Sequence, residues 1–441
     1  MFVTLSLLLG LADCDSAAYG PQNDIFLACH SPGDQLEVTS QPPLTPAQQA
    51  AKERMDGYVL RFRPSTGKVL WATRIGGSDL DLLIRIAVDR RGFAYAAGFT
   101  KSADFPVTTD ALQSRLAGKM DACFVKLTAD GRVLYSTLLG GSGDDQGDAL
   151  AIDASGTVYL GGTTWSPDFP GQSARAAAKG DAWVAALDLA GRIRSTVFGG
   201  SGEEKLTGIA LDGRGALFAT GFTPSPDFPT AGALQPQLRG PSDAFLTRLA
   251  IPSLEITYST YYGGPGEDSA WGVTIDGSGH PIIAGRTGGF ERALPGSDAF
   301  VATFGGPELK TVRVATFGGS GMDSAGYDGQ NVAIDRWGNV WFVGETHSPD
   351  LPVRNAFQPK FGGGDGDGFL AALSPDLNRV CFASYFGGPG REVLEGVAIS
   401  RAGQIFATAV AFGANAPNSI AFAGTTVNNK VLAFKPGNPC R

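Results

Sequence analysis

A Gly-Gly pair recurs along most of the chain and constrains the fold more than any other feature of the sequence. The pairs begin at Gly76, Gly140, Gly199, Gly263, Gly318 and Gly387. Their first glycines are 64, 59, 64, 55 and 69 residues apart. In four copies an Asp follows the second glycine by 12 residues; in the fifth Asp335 follows it by 16, and in the sixth Ser400 takes the place of the Asp. In every copy a glycine comes three residues later, as in Asp153 and Gly156. Self-similarity at such a period indicates a repeat architecture.

Each repeat unit is predicted to contain four short strands. In the unit that begins at Gly76, we predict them at Ile86–Asp89, Phe93–Gly98, Cys123–Leu127 and Tyr135–Leu139. An Asp-x-x-Gly turn joins the first two strands, because glycine readily adopts a positive φ. A longer loop, commonly with the sequence Ser-x-Asp-Phe-Pro, precedes the third strand, and its proline excludes it from the sheet. Four strands per repeat are typical of a β-propeller blade.

The two ends of the chain supply a seventh unit beyond the six Gly-Gly pairs. Residues 16–30 align without a gap with residues 149–163, and so provide the first two strands of that unit. Val431–Phe434 is predicted to be a third strand with no fourth after it, so we expect Phe2–Leu9 to complete the last blade and close the ring. The sequence therefore predicts one all-β domain over residues 1–441, a seven-bladed β-propeller of four-stranded blades. Near residues 45–55 we predict a short helical insert, with Thr45 as its N-cap.

Composition and charge exclude several classes of protein. The net charge of −8 argues against a nucleic-acid partner, which would require a surplus of Lys and Arg. No apolar run is long enough for a transmembrane helix. Residues 1–12 are apolar, but the first positive charge is Lys52, so they make no convincing signal peptide.

The cysteine pattern does not support a zinc site. The five cysteines contain no Cys-x-x-Cys pair, and the three histidines lie far apart in sequence. Cys14 and Cys29 would both lie near the top of the first blade, where a disulfide is conceivable. The pairing of Cys440 stays open.

A resemblance to a known family covers nearly the whole chain. It is carried by Gly140-Gly141-Ser142-Gly143-Asp144-Asp145, by residues 151–163 and by Ser166-Pro167-Asp168-Phe169-Pro170. These segments closely resemble the bacterial seven-bladed beta-propeller repeat (SBBP), and the chain departs from it at Ser400 and Ala409. The resemblance implies the propeller fold and a secreted or cell-envelope location. It supplies no catalytic residues, because such proteins mostly lack an established activity.

Acidic residues follow the Gly-Gly pairs, on the propeller face that we call the top. The candidate ligand-binding acids are Asp144, Asp145, Glu203, Glu204, Glu267, Asp268, Asp323 and Glu392. One interpretation is a ring of carboxylates that binds Ca²⁺ or a cationic ligand. The other is that these carboxylates accept hydrogen bonds from backbone N–H groups of their own turns, which by itself explains their repetition.

Three further residues are candidates for contact with a metal or a ligand. Asp365 and Asp367 lie in a glycine-rich segment and are weak candidates for a metal site. Asp367 also stands directly before a third strand, as Asp121 does, which favours a structural role. Trp165 adjoins the Ser-Pro loop and is the best exposed aromatic candidate, whereas Trp271 is expected to be buried between blades.

The favoured function is non-enzymatic: a rigid platform at the bacterial cell surface or outside the cell, whose top face binds a protein, a peptide or a glycan. The alternative is a polysaccharide lyase or hydrolase that uses top-face carboxylates as acid and base. That alternative needs an acidic pair buried beside an Arg or a His, and the segment Arg391-Glu392 is the first place to look for one. A purely structural spacer is the third hypothesis.

Overall fold

All the regular secondary structure in the described part of the protein is β-strand. The computed structural model describes residues 13–32, 55–171, 179–188, 192–290, 296–326, 330–412, 426–428 and 431–440. These residues contain 29 strands and no helix. The chain divides into two compact units, Met1–Phe198 and Gly199–Arg441.

The first unit contains three four-stranded antiparallel sheets, which we call blades 1 to 3. Blade 1 consists of β1 (Asp13–Tyr19), β2 (Ile25–Pro32), β3 (Met55–Arg63) and β4 (Lys68–Ile75). Blade 2 consists of β5 (Asp81–Val88), β6 (Ala94–Thr100), β7 (Asp121–Leu127) and β8 (Val133–Leu139). Blade 3 consists of β9 (Asp145–Ile152), β10 (Val158–Thr164), β11 (Asp181–Asp188) and β12 (Arg192–Phe198).

The second unit contains the other four sheets, blades 4 to 7. Blade 4 consists of β13 (Lys205–Leu211), β14 (Ala216–Thr223), β15 (Asp243–Ala250) and β16 (Glu255–Tyr262). Blade 5 consists of β17 (Asp268–Ile275), β18 (Pro281–Thr287), β19 (Asp298–Gly305) and β20 (Thr311–Phe317). Blade 6 consists of β21 (Asp323–Ser324), β22 (Val332–Ile334), β23 (Val340–Thr346), β24 (Asp367–Leu373) and β25 (Val380–Phe386). Blade 7 consists of β26 (Arg391–Ile399), β27 (Ile405–Phe412), β28 (Thr426–Asn428) and β29 (Val431–Phe434).

The protein is thus a seven-bladed β-propeller, and the predicted fold class is confirmed. Blade 2 shows how close the predicted strands are, because β6, β7 and β8 begin within two residues of their predicted starts. The first strand is longer than predicted, since β5 begins at Asp81. In blade 6 the first-strand position is divided between β21 and β22, which both pair with β23.

Two predictions about the first and last blades concern residues outside the described part of the chain. The predicted strand Phe2–Leu9 lies there, and β28 pairs with β29 at the edge where that strand was expected. Residues 45–54 of the predicted helical insert lie there too, whereas Met55 begins strand β3. Closure by the N-terminal strand and the single domain over residues 1–441 stay predictions.

A bulge between the first two strands requires glycine in most blades. In blade 3 the register shifts beside Gly162, where an added Cβ would lie 1.9 Å from the carbonyl oxygen of Gln146. Cys29 takes the corresponding place in blade 1 and forms a disulfide with Cys14. Ala409 takes it in blade 7, one of the departures noted in the sequence.

A second disulfide joins two cysteines that lie 59 residues apart in sequence. Cys381, in strand β25, is bonded to Cys440 near the end of the chain. Cys123 is a buried free thiol. The structure therefore places four of the five cysteines in two disulfides.

A buried carboxylate fastens each described Gly-Gly loop to the first strand that follows it. In blade 3, Asp145 accepts hydrogen bonds from Gly141 N at 2.7 Å, from Ser166 Oγ at 2.7 Å and from Thr164 Oγ1. The bond from the loop N–H is 2.6–2.9 Å long in every copy, and its acceptors are Asp81, Asp145, Glu204, Asp268, Asp323 and Glu392. The carboxylate thus satisfies backbone donors that would otherwise be buried without partners.

The Ser-x-Asp-Phe-Pro segment holds the same loop from its other side. Asp168 Oδ1 accepts hydrogen bonds from Ser142 N at 2.7 Å and from Ser142 Oγ at 2.8 Å. Ser166 Oγ accepts one from Gly143 N at 2.8 Å, and the Phe169 side chain is buried. Equivalent bonds form in blades 2, 4 and 6, with acceptors Asp104, Asp227 and Asp350. The two recurring motifs of the sequence are therefore the two halves of one fastening.

A second carboxylate, at the start of the third strand in the preceding blade, meets the first one at five of the junctions. A Cβ added to Gly140 would lie 2.6 Å from Asp145 Oδ2 and 2.7 Å from Asp121 Oδ1. The carboxylates that flank the equivalent glycines are Asp56 with Asp81, Asp243 with Asp268, Asp298 with Asp323, and Asp367 with Glu392. Only glycine leaves room for both acids at this point of the turn.

Burial perturbs these acids, because a carboxylate loses hydration when it leaves water. Burial raises the pKa of Asp81 and Asp367 to about 7, and that of Asp145 and Asp268 to about 6. At Asp367 the charge of Glu392 raises the pKa further, against the lowering effect of a hydrogen bond from Gly362 N.

We expect the melting temperature to fall as the pH rises from about 5 to about 8. The folded protein binds these protons more tightly than the unfolded chain, in which the Asp pKa is near 3.9. Their stabilising contribution is therefore full below about pH 4 and is lost as the pH rises through about 6 to 7. Asp367→Asn removes one such group and should flatten the dependence of melting temperature on pH. Asp365→Asn, an exposed neighbour in the same loop, should keep the wild-type slope. Equal slopes in the two variants would contradict this account.

Candidate functional site

The structure places five of the predicted ligand-binding acids inside the fold. These are Asp145, Glu204, Asp268, Asp323 and Glu392, all of which are buried. Each accepts a hydrogen bond from a Gly-Gly loop, as described above, so at least one oxygen of each carboxylate is already engaged. The interpretation of these acids as turn acceptors accounts for their geometry.

The two weak metal candidates lie in different environments. Asp365 is exposed, whereas Asp367 is buried and accepts a hydrogen bond from Gly362 N at 2.6 Å. Among the residues that the structure describes, no three His, Cys, Asp or Glu side chains are grouped so that they could hold a metal ion.

A groove between blades 4 and 5 brings three of the predicted acids together: Glu203, Glu267 and Asp268. Its volume is about 500 Å³. The other lining residues are Phe222, Pro224, Pro241, Ser242, Ser269, Trp271 and Arg286. This set combines aromatic, acidic, basic and hydroxyl side chains in one concave site, a combination that is typical of ligand-binding pockets.

The polar groups of the groove face each other across its mouth. Glu203 and Glu267 are exposed, and Arg286 Nη2 lies 3.6 Å from Glu267 Oε2. Arg286 Nε and the hydroxyls of Ser242 and Ser269 are buried and have no hydrogen-bond partner in the described part of the chain. They are donors that a bound molecule could use.

Two aromatic rings form the apolar wall of the groove. Trp271 meets Phe222 edge-to-face, with ring centroids 5.5 Å apart and an interplanar angle of 65°. Trp71, Trp183 and Trp341 are buried between strands as expected, but Trp271 is half-buried and lines the groove. Trp271 was expected to be buried between blades, but part of it is exposed in the groove.

The composition of the groove comes from residues of blades 4 and 5 that differ from their counterparts in other blades. Trp271 lies three residues after the buried acid of β17, a place taken in blade 3 by Asp148. After β18 the chain continues as Gly288-Gly289-Phe290 instead of Ser-x-Asp-Phe-Pro. The sequence does contain a signal for this, since the Gly-Gly interval that spans blade 5 is the shortest of the five, 55 residues. Motif analysis does not identify Phe222 and Arg286. They occupy equivalent positions on the second strands of blades 4 and 5, and the residue at this position varies from blade to blade.

Arg391 belongs to a second cluster, at the junction of blades 6 and 7. Its guanidinium binds Glu345 through Nε–Oε1 at 2.6 Å and Nη2–Oε2 at 3.0 Å. His347 Nε2 lies 3.3 Å from Glu345 Oε1. Glu345 is buried, whereas Arg391 and His347 are partly exposed. The segment Arg391-Glu392 thus adjoins an acid, Glu345, that the motif analysis did not identify.

The remaining predicted residues, Asp144 and Trp165, lie together in blade 3. The N–H of Trp165 donates to the carbonyl oxygen of Asp144 at 2.9 Å, and both residues are half-buried. They are neighbours of the fastened Gly-Gly loop and lie outside the groove between blades 4 and 5.

Comparison with known sequences gives one regulatory protein as a relative. The chain is 24% identical over 319 residues to "Regulatory protein FlaEY" of Caulobacter vibrioides. The aligned region covers 66% of this chain and 33% of that protein, so the chain spans about a third of the relative's length. Among the described residues, no helix is long and apolar enough to cross a membrane.

Two solved structures align with most of the chain at low sequence identity. Hydrazine synthase of Kuenenia stuttgartiensis aligns with a TM-score of 0.48 and 11% identity, over 92% of this chain and 96% of that chain. Sqt1 of Chaetomium thermophilum aligns with a TM-score of 0.43 and 11% identity, over 97% of each chain. These likenesses carry no argument about activity.

The family comparison agrees with the motifs. The family described as "Beta-propeller repeat" (SBBP) matches residues 134–170, which run from strand β8 through the Gly-Gly loop to the end of the Ser-x-Asp-Phe-Pro segment of blade 3. That stretch contains both halves of the fastening described above, which recurs in other blades. The chain is therefore a seven-bladed β-propeller that contains a match to the SBBP β-propeller repeat at residues 134–170.

Proposed function

We propose that this protein is a non-enzymatic binding protein whose groove between blades 4 and 5 holds a glycan chain. The observation that carries the proposal is the partly exposed Trp271 ring beside Phe222, flanked by Glu203, Glu267 and Arg286. The C–H face of a sugar ring packs on an aromatic ring, and carboxylate, guanidinium and hydroxyl groups pair with sugar hydroxyls. A protein or peptide segment is the other ligand that such a groove could accept.

We further propose that the protein works in the cell envelope or outside the cell. The two disulfides, Cys14–Cys29 and Cys381–Cys440, support this location because disulfides persist in oxidising compartments. The family resemblance points the same way.

A tryptophan substitution tests the groove. Trp271→Ala should abolish the rise in melting temperature that a binding oligosaccharide produces, because it removes the stacking surface while the fold is retained. The measurement is a thermal-shift titration against a panel of neutral and acidic oligosaccharides. Trp337→Ala is the matched control, since Trp337 is another half-buried tryptophan of the same unit that lies outside the groove and stacks on Arg336. A wild-type shift that survives in Trp271→Ala would contradict the proposal.

The alternative function, a polysaccharide lyase or hydrolase, is favoured by one observation: the buried Glu345 beside His347 and Arg391. Two titratable groups in unlike environments are what acid–base catalysis requires.

Product analysis separates the two functions. We expect the wild-type protein to release no new sugar ends from the oligosaccharides that it binds. Release of products that is lost in Glu345→Gln, with the melting temperature retained, would favour the enzyme. Glu255→Gln, an exposed acid in the same unit, is the control.

A further inference from the structure

A second groove lies at the opposite ends of the strands, between the Asp-x-x-Gly hairpins of blades 2 and 3. Its volume is about 920 Å³. The lining residues are 88–91 and Tyr95 of blade 2, Lys126 of β7, 152–157 of blade 3 and Asp188 of β11. A volume of this order accommodates a small organic molecule.

The three acids that line this groove already accept hydrogen bonds from the protein. Asp89 accepts them from Arg91 N at 2.8 Å, Phe93 N at 3.0 Å and Tyr95 Oη at 3.1 Å. Asp153 repeats the arrangement in blade 3, with donors Ser155 N and Thr157 N at 2.9 Å. Asp188 accepts two bonds from Arg192. These carboxylates therefore already accept hydrogen bonds within their own turns and strands.

The three cations that line it are not committed in this way. Arg90 and Arg91 are exposed and form no ion pair within the described part of the chain. The Lys126 ammonium lies 4.9 Å from the ring centroid of Tyr95 and 5.3 Å from that of Phe93, and the Arg91 guanidinium lies 4.7 Å from Phe93. These rings hold two of the cations in place without supplying a hydrogen-bond acceptor.

The groove is thus rich in unused donors, although the whole chain has a net charge of −8. Burial lowers the pKa of the Lys126 ammonium and the nearby charge of Asp89 raises it, so a negatively charged ligand would offset a further part of the cost of keeping the ammonium charged. Two guanidinium groups and one ammonium match a molecule with two or more oxyanion groups.

We propose that the groove between the hairpins of blades 2 and 3 binds a small polyanion through Arg90, Arg91 and Lys126. The apolar side chains of Val88 and Ile152 contact its uncharged body. This site is independent of the glycan groove, because it lies in the first unit and shares no residue with it.

Calorimetric titration of the full chain tests the proposal. The two probes are pyrophosphate and tricarballylate, which present the oxyanions as phosphate or as carboxylate, so the tighter probe identifies the preferred group. We expect saturable binding of at least one probe at low ionic strength, weakened by added salt. The double variant Arg90→Gln/Arg91→Gln should weaken it at least about tenfold, because both side chains are exposed and contribute mainly their charge.

Two further variants make the test specific. Lys126→Gln should weaken binding in the same direction as the double arginine variant. Arg214→Gln should leave it unchanged, because Arg214 follows Asp212 by two residues, as Arg91 follows Asp89, but belongs to a hairpin of blade 4 and donates to carbonyl oxygens of blade 5. Absence of saturable binding for both probes, or binding that the double arginine variant retains, would overturn the proposal.

Discussion

The hydrogen bond from a Gly-Gly loop to a buried carboxylate is the interaction on which each described blade junction depends. A tight loop between two blades leaves backbone N–H groups pointing inward, and unpaired donors there would cost about 1–3 kcal/mol each. In blade 3, Asp145 accepts from the loop and from two hydroxyls, while its own N–H donates to the carbonyl oxygen of Met120 in blade 2 at 2.8 Å. One residue therefore closes the loop and joins two neighbouring sheets.

The same interaction explains how much of the fold could be predicted from the sequence. A fastening built from glycines, an acid and a Ser-x-Asp-Phe-Pro segment allows few substitutions, so it repeats visibly and sets the number and order of blades. It also explains why the repeated acids are predicted to bind a ligand. In the structure, the acids equivalent to Asp145 instead accept hydrogen bonds from backbone N–H groups. The repeated pattern predicts what is common to the blades and says little about how they differ.

The candidate sites lie where the blades differ. One position on the second strand is occupied by a different residue in each of blades 4, 5 and 6: Phe222, Arg286 and Glu345. Each lies opposite the residue that follows the buried acid of its own blade. Phe222 and Arg286 line the glycan groove, whereas Glu345 is held by Arg391. A repeat alignment treats this place as variable, so only the spatial arrangement shows that Phe222, Trp271 and Arg286 meet. Motif analysis does not identify the cations of the polyanion groove for the same reason, since Arg90 and Lys126 belong to no motif.

The central claim is that the buried acid after each Gly-Gly pair stabilises the blade junction, whereas the half-buried acid that precedes Asp145 in sequence does not. Unfolding of Asp145→Ala and Asp144→Ala at neutral pH tests it directly, because the two residues are adjacent and identical in type. The account predicts that Asp145→Ala lowers the free energy of unfolding by about 2–4 kcal/mol, since three buried donors lose their acceptor. Asp144→Ala should change it by less than about 0.5 kcal/mol. Equal effects of the two substitutions would contradict the account.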